Sequence, residues 1–265
     1  MTNLLLKPKM KSGKVISVTP KSAKWKYVGH DVWNLGPGKA AKGFEARRET
    51  CIVFISGKAD VTVGGKSLGI LGERMSVFDG KPWSVYVPPN VKWQAKATTD
   101  CVINVCTAPA RGEHEAFVIS PDELTVITRG KGSNTRYVCN ILPEQDKRAE
   151  SLLVVEVITP NGCTSSYPSH KHDKNNLPHE SLLEETYYHR LNPPQGFAFQ
   201  RVYTDDRELD VSMAMEDGDV TLVPKGYHPC ATCHGYDLYY LNVMAGPKRT
   251  WKFHNAKEHE WLLKQ

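Results

Sequence analysis

The sequence predicts an all-β protein made of two jelly-roll β-barrels from an internal duplication. Three observations carry this. Glycine (20) and proline (17) fall between short apolar runs, the punctuation of a turn-rich β fold. No apolar pattern at helical spacing exceeds about three turns. Two short stretches also recur. Arg48-Glu49-Thr50-Cys51-Ile52 resembles Glu184-Glu185-Thr186-Tyr187-Tyr188, and Val87-Pro88-Pro89-Asn90-Val91-Lys92 resembles Val223-Pro224-Lys225-Gly226-Tyr227-His228. Glu49 to Pro88 and Glu185 to Pro224 are both 39 residues, and a repeated offset is the mark of a repeat.

The elements follow in chain order. Residues 1–30 read as a polar lead-in. Cys51–Ile55 and Ala59–Val63 flank Ser56-Gly57-Lys58 as two strands of a hairpin, and Gly64-Gly65 marks the next turn. Val85–Val87 and Cys101–Val105 are further strands. Residues 107–136 are less regular and read as a linker with some β structure, punctuated by Pro109, Gly112, Gly130 and Gly132. The second half begins near Arg136, so the expected domains are residues 1–135 and 136–265. Its strands are Leu152–Ile158, Thr186–Arg190, Gly196–Tyr203, Asp219–Val223 and Leu238–Met244.

Composition narrows the function classes. The chain has 34 Lys+Arg against 29 Asp+Glu, a net charge of +5, with 40% apolar and 24% charged residues. That is ordinary for a globular protein and argues against disorder. Basic residues concentrate only in the first 27, with no continuous stripe, so nucleic-acid binding is not expected. No run of about 18 apolar residues exists, which argues against a membrane helix. The first residues carry no cleavage signal, and a cytoplasmic protein is expected. Seven cysteines without framework spacing read as free thiols. Cys230-Ala-Thr-Cys233-His234 fits a haem-attachment pattern, but that chemistry belongs outside the cytoplasm. It reads as two free thiols near a pocket rim.

The chemistry concentrates in the second half. In His170-Lys171-His172 the two imidazoles are two residues apart, so a strand would point both into one barrel. Glu185 opens the next strand, and His228 follows the Pro224-Lys225-Gly226 turn. Three imidazoles and a carboxylate can bind Zn²⁺, Mn²⁺, Fe²⁺ or Ni²⁺ and leave open positions. The competing reading is an exposed histidine-rich loop among Lys and Asp.

These motifs resemble those of the cupin superfamily, whose first motif carries HxH and a later Glu, and whose second carries G-x5-P-x-G and then His. Gly218-x5-Pro224-Lys225-Gly226 fits the second motif, although His228 comes one residue early. The first motif departs further, because residues 173–184 stand between His172 and Glu185. The chain also resembles a narrower family, the 5-deoxy-glucuronate isomerases of myo-inositol catabolism. The matching stretches are Val18-Thr19-Pro20, Trp25–Gly29, Ser169–Asp173, Leu183–Tyr188, Asn192–Phe197, Phe199–Asp205 and Val223–Pro229.

The resemblance implies a bicupin that isomerises an aldose acid to a ketose acid. By analogy with the uronate isomerases of pectin breakdown, it implies a divalent ion, zinc first, on His170, His172, Glu185 and His228. Glu184 is the neighbour that competes with Glu185. Glu49 remains in the first half, but no HxH precedes it and Lys92 stands where His228 would be, so that barrel is expected to be structural.

Substrate-binding candidates are Lys171, Tyr187, Arg201 and Tyr203. Arg201 is either an inward fork for a substrate carboxylate or an outward partner of Asp205 or Asp206. Tyr187 either donates to a substrate hydroxyl or packs beneath the ion. Glu184 and His179 join Tyr187 as candidate proton carriers. The inserted residues 173–184 are expected to form a lid. The partner is a small sugar acid, and a homo-oligomer is expected. Two rival readings stay open: a non-haem iron dioxygenase, and a sugar-binding cupin without catalysis.

Overall fold

In the computed structural model, residues 3–264 are described. The expectations for Met1, Thr2 and Gln265 lie outside them. Nearly all regular structure is antiparallel strand, and the same pattern occurs twice.

In the first half a six-stranded sheet runs in the order Phe117–Ile119, Ser84–Val87, Arg48–Ser56, Cys101–Pro109, Gly29–Leu35, Gly13–Val18. A four-stranded sheet runs Ala40–Phe44, Lys92–Ala97, Ala59–Val63, Lys66–Leu71. In the second half a seven-stranded sheet runs Leu5–Leu6, Val220–Val223, Glu184–Asn192, Asp237–Ala245, Leu153–Thr159, Arg136–Leu142, Val126–Arg129. Its four-stranded counterpart runs Thr164–Ser165, Cys230–Thr232, Ala198–Tyr203, Asp210–Met215. The strand orders correspond one for one through most of both sheets, as a duplication requires.

Two local readings change. Arg48–Ser56 and Ala59–Val63 are not a hairpin, because they lie in different sheets. Gly57 turns that corner at φ +80, and a Cβ there would stand 2.0 Å from the Asp100 carbonyl oxygen. The true hairpin pairs Ala59–Val63 with Lys66–Leu71 across Gly64-Gly65.

The duplication is also offset by one residue from the sequence match. Thr50 pairs with Val87, whereas Glu185 pairs with Val223. Thr50 therefore occupies the position of Glu185, and it shares a face with Ile52 and Phe54, which belong to the buried apolar core. Glu49 points the other way. Its buried carboxylate accepts the Tyr86 hydroxyl (2.7 Å) and the backbone N–H groups of Glu150 (2.8 Å), Ser151 (2.7 Å) and Leu152 (2.6 Å). A slip of one residue exchanges the two faces of a strand, so similar letters met different surroundings.

Two compact units follow from the contacts. One holds Pro8–Thr125 and Ile141–Val154; the other holds the stretch up to Lys7, Val126–Asn140 and the chain from Val155 onward. A cut at 135/136 falls between two paired strands, since Arg129 faces Arg136 in register. Ile141–Val154 stays with the first unit partly through Glu49 and partly through Glu150, whose carboxylate accepts the N–H groups of Arg111, Gly112 and Glu113 at 2.6–3.0 Å. Among the described residues no helix is long and apolar enough to cross a membrane. All seven cysteines are free thiols; Cys230 is buried and Cys233 half-buried.

Candidate metal centre

Three of the expected ligands converge. His172 Nε2 lies 3.0 Å and His228 Nε2 3.3 Å from Oε2 of Glu185. All three residues are buried, and one donor atom from each falls within 4.8 Å of the others. His170 lies just outside this group, its ring centroid 5.1 Å from that of His228 and 4.6 Å from that of Phe253.

The backbone aims the three rings. Nδ1 of His170 sits 3.3 Å from the Pro168 carbonyl, Nδ1 of His172 3.2 Å from that of Leu183, and Nδ1 of His228 2.9 Å from that of Gly226. A carbonyl can only accept, so each Nδ1 carries a proton, and on a neutral ring Nε2 then presents a lone pair. The side-chain amide of Asn242 donates to Oε1 of Glu185, leaving Oε2 to face the imidazoles.

The twelve-residue insertion does not part the ligands, because it closes at its base. The Leu183 N–H donates to the His172 carbonyl (2.9 Å), while the His172 ring donates to the Leu183 carbonyl. Between them Asp173–Asn176 and Glu180–Leu182 form a small hairpin. The His170–Lys171 strand is held from the other side by His254–Asn255. Gly226 holds the last ligand. It adopts φ +90, and a Cβ there would meet the Tyr203 carbonyl oxygen at 2.3 Å. Only glycine fits a turn that close.

Burial pushes the pKa values of His170 and His228 down to about 3, so both imidazoles are neutral. Burial lowers that of His172 as well, but the Glu185 carboxylate outweighs it and the value rises. Nε2 of His228 is buried without a hydrogen-bond partner. The Nε2 atoms of His172 and His228 and a carboxylate oxygen of Glu185 converge on one point, the His228 nitrogen without a hydrogen bond, and this donor set fits a divalent ion of borderline softness.

A cavity of about 110 Å³ opens beside this cluster. His170, Glu185 and Tyr187 line it, as do Tyr240, Asn242, Trp251, Phe253 and Leu263. Burial, then Glu185, pushes the Tyr187 phenol well above its usual range, so it stays protonated; its oxygen is 3.1 Å from Ser166 Oγ.

Other candidates lie elsewhere. Arg201 is exposed and forms a two-point pair with Asp210 across the neighbouring strand (2.7 and 2.6 Å), neither inward nor on Asp205 or Asp206. The inward positions on its strand belong to Gln200 and Val202. Tyr203 packs on Tyr227, with ring centroids 5.1 Å apart, away from the cavity. Lys171 points opposite to its histidine neighbours, as alternation requires, and pairs with Asp205. His179 is exposed on the hairpin, and Glu184 takes the strand face opposite Glu185; neither lines the cavity. No residue of 173–184 lines it either, so the lid reading gives way to a wall formed by Trp251, Phe253, Asn255 and Leu263.

Several site residues escaped the sequence reading. Asn242 had a usable signal, a lone amide inside the apolar run Leu238–Ala245. Gln200 belongs to a buried chain: His189 Nε2 to Thr221 Oγ1 (3.0 Å), Thr221 to Gln200 Oε1 (2.6 Å), and Gln200 to the His228 carbonyl (3.3 Å). Arg129 and Arg136 line the cavity from the stretch read as linker or boundary, and no local pattern marks them.

A model of the KduI/IolB family matches residues 4–262. A 5-deoxy-glucuronate isomerase of Geobacillus kaustophilus is 52% identical over 252 residues, covering 95% of this chain and 91% of that protein. One from Bacillus licheniformis is 47% identical over 271 residues, covering 100% of both. The crystal structure of an IolB-like protein from Salmonella typhimurium LT2 superposes with a TM-score of 0.97 at 49% identity, over 99% of this chain and 100% of that one. The oxalate decarboxylase of Lactobacillus farciminis superposes over 100% of this chain and 91% of its own at 13% identity, with a TM-score of 0.68. That last likeness concerns the fold alone, which is a bicupin.

Proposed function

The chain belongs to the KduI/IolB family, and from that premise we propose that it is a 5-deoxy-glucuronate isomerase. It would convert 5-deoxy-D-glucuronate to 5-dehydro-2-deoxy-D-gluconate by moving hydrogen from C2 to C1, an intramolecular oxidoreduction in inositol breakdown. The observation that carries the site reading is the convergence of His172, His228 and Glu185 beside a cavity that Glu185 and His170 line.

His172, Glu185 and His228 would hold a divalent ion, with His170 as the fourth ligand and zinc as the first choice. When bound, such an ion supplies Lewis-acid polarisation of the substrate carbonyl and its neighbouring hydroxyl. The protein groups do the rest. Tyr187, protonated at the cavity wall, would donate to a substrate hydroxyl. Asn242 holds Glu185 in one orientation. Trp251 and Phe253 line the cavity, where their rings would exclude water from the reacting sugar. Glu184 and His179 are not offered as proton carriers, because neither reaches the cavity wall. We further read the enzyme as a cytoplasmic homo-oligomer.

The test is incubation of the metal-loaded protein with 5-deoxy-glucuronate in D₂O, followed by NMR. The ketose acid should form. Deuterium in the product would mark proton transfer, and retained hydrogen would mark a hydride shift. An unchanged substrate would refute the reading.

A further inference from the structure

We propose that Arg129 and Arg136 form a carboxylate clamp in the wall of the metal cavity, which makes the site select an acidic sugar over a neutral one. The proposal rests on the isomerase reading for the identity of the sugar but not for the chemistry of the clamp.

The two arginines face each other in register on antiparallel strands, Val126–Arg129 and Arg136–Leu142. Like charges directly opposite in a sheet repel and destabilise it. Native strands accept that when something neutralises the pair. Among the described residues no carboxylate lies within ion-pair distance of either guanidinium, whereas Arg190 has Asp217 and Arg201 has Asp210. Both unpaired arginines instead line the cavity that holds His170 and Glu185.

The geometry around Arg136 is built rather than incidental. Its Nη1 donates to the Asn134 carbonyl at 2.9 Å. Asn134 is itself anchored, donating to the Tyr167 carbonyl (3.2 Å) and accepting from Thr164 Oγ1 (3.2 Å). Gly130 makes room for the fork. It sits at φ +74, and a Cβ there would stand 2.0 Å from the Asn134 carbonyl oxygen and 2.7 Å from Arg136 Nη1. Arg136 is half-buried, and burial lowers its pKa, with Tyr240 opposing the shift and Arg129 adding to it. A planar guanidinium with one edge fixed and another free suits a carboxylate, which it can meet with parallel hydrogen bonds. In a six-carbon sugar acid whose aldehyde end lies at the metal cluster, the carboxylate is the far end.

The experiment uses the metal-loaded full chain with Arg129→Gln, Arg136→Gln and Arg136→Lys. Binding of 5-deoxy-glucuronate and of its neutral counterpart 5-deoxy-glucose is measured by calorimetry, beside steady-state kinetics and metal content. A hydrogen bond to a charged group is lost in each Gln variant, so affinity for the acid should fall roughly 10- to 100-fold, mostly in KM. Affinity for the neutral sugar and the metal content should stay as in the wild type. Arg136→Lys should recover part of the loss, since it restores charge without the fork. Variants that bind the acid as the wild type does, or that lose acid and neutral sugar equally, would overturn the clamp. Acid binding that depends on these arginines without any turnover would sink the isomerase reading and support the clamp.

Discussion

Asn242 holds Glu185 by one carboxylate oxygen and leaves the other facing His172 and His228. The amide thus decides which oxygen is available and how the carboxylate plane is turned. Partners of this kind tune a metal ligand without touching the ion. Asn242→Ala should therefore weaken metal binding by roughly 10- to 100-fold while the fold persists. Competition with a chelator measures the affinity, and an unchanged value would show that the contact is only packing.

Removing the ligands themselves should be more severe. The paired substitution His170→Ala with His172→Ala leaves too few donors for a tetrahedral site. We expect elemental analysis to find no stoichiometric ion in that variant, and the same for Glu185→Ala with His228→Ala. Full retention of the ion in either would refute the ligand set.

Glu49 offers a test of the other unit. Its carboxylate satisfies three consecutive backbone N–H groups and the Tyr86 hydroxyl in a buried position. Glu49→Ala would strand those donors, and breaking a buried charged arrangement of this kind costs about 3–5 kcal/mol. Urea unfolding should register the loss, while metal content is unaffected because the second unit carries the cluster. A change below about 1 kcal/mol would mean that water replaces the carboxylate at no great cost.

Gly226→Ala combines both kinds of effect. The added methyl would collide with the Tyr203 carbonyl, and the turn it disturbs also supplies the carbonyl that orients His228. We expect a destabilisation of about 1–3 kcal/mol together with weakened metal binding. Wild-type behaviour in calorimetry and chelator competition would contradict the turn argument.

The hairpin between His172 and Leu183 should tolerate shortening. Replacing residues 175–178 by a two-residue Asn-Gly turn keeps the pairing at its base and removes nothing from the cavity wall. Metal content and turnover should remain near wild type. A large loss of turnover with metal retained would restore the idea of a lid.

What could be read in advance divides by range. Alternation along one strand placed His170 and His172 together and Lys171 opposite, because that rule is local. The Pro224-Lys225-Gly226 turn was legible for the same reason: its glycine answers to a positive φ. Arg201 was ambiguous, since which face of its strand turns inward depends on the sheets around Gln200 and Val202. The Glu49 match misled because one residue of offset reverses a face without altering the letters. Arg129 and Arg136 were invisible, since their place in the site comes from strand pairing and chain routing and not from composition.

The pairing of His170 with Asn255 also sets a timetable. Synthesis runs from the N-terminus at about 5–20 residues per second, and early segments fold as they emerge. His172, Glu185 and His228 are made well before the strand that braces the histidine segment, and before Trp251 and Phe253 close the cavity wall. Leu5 likewise stays without its partner until Thr221 is made. A newborn chain therefore exposes a half-built set of imidazoles to whichever ions surround the ribosome, and the walled site comes later. An ion taken up by the walled site would bind after the last of these strands has docked.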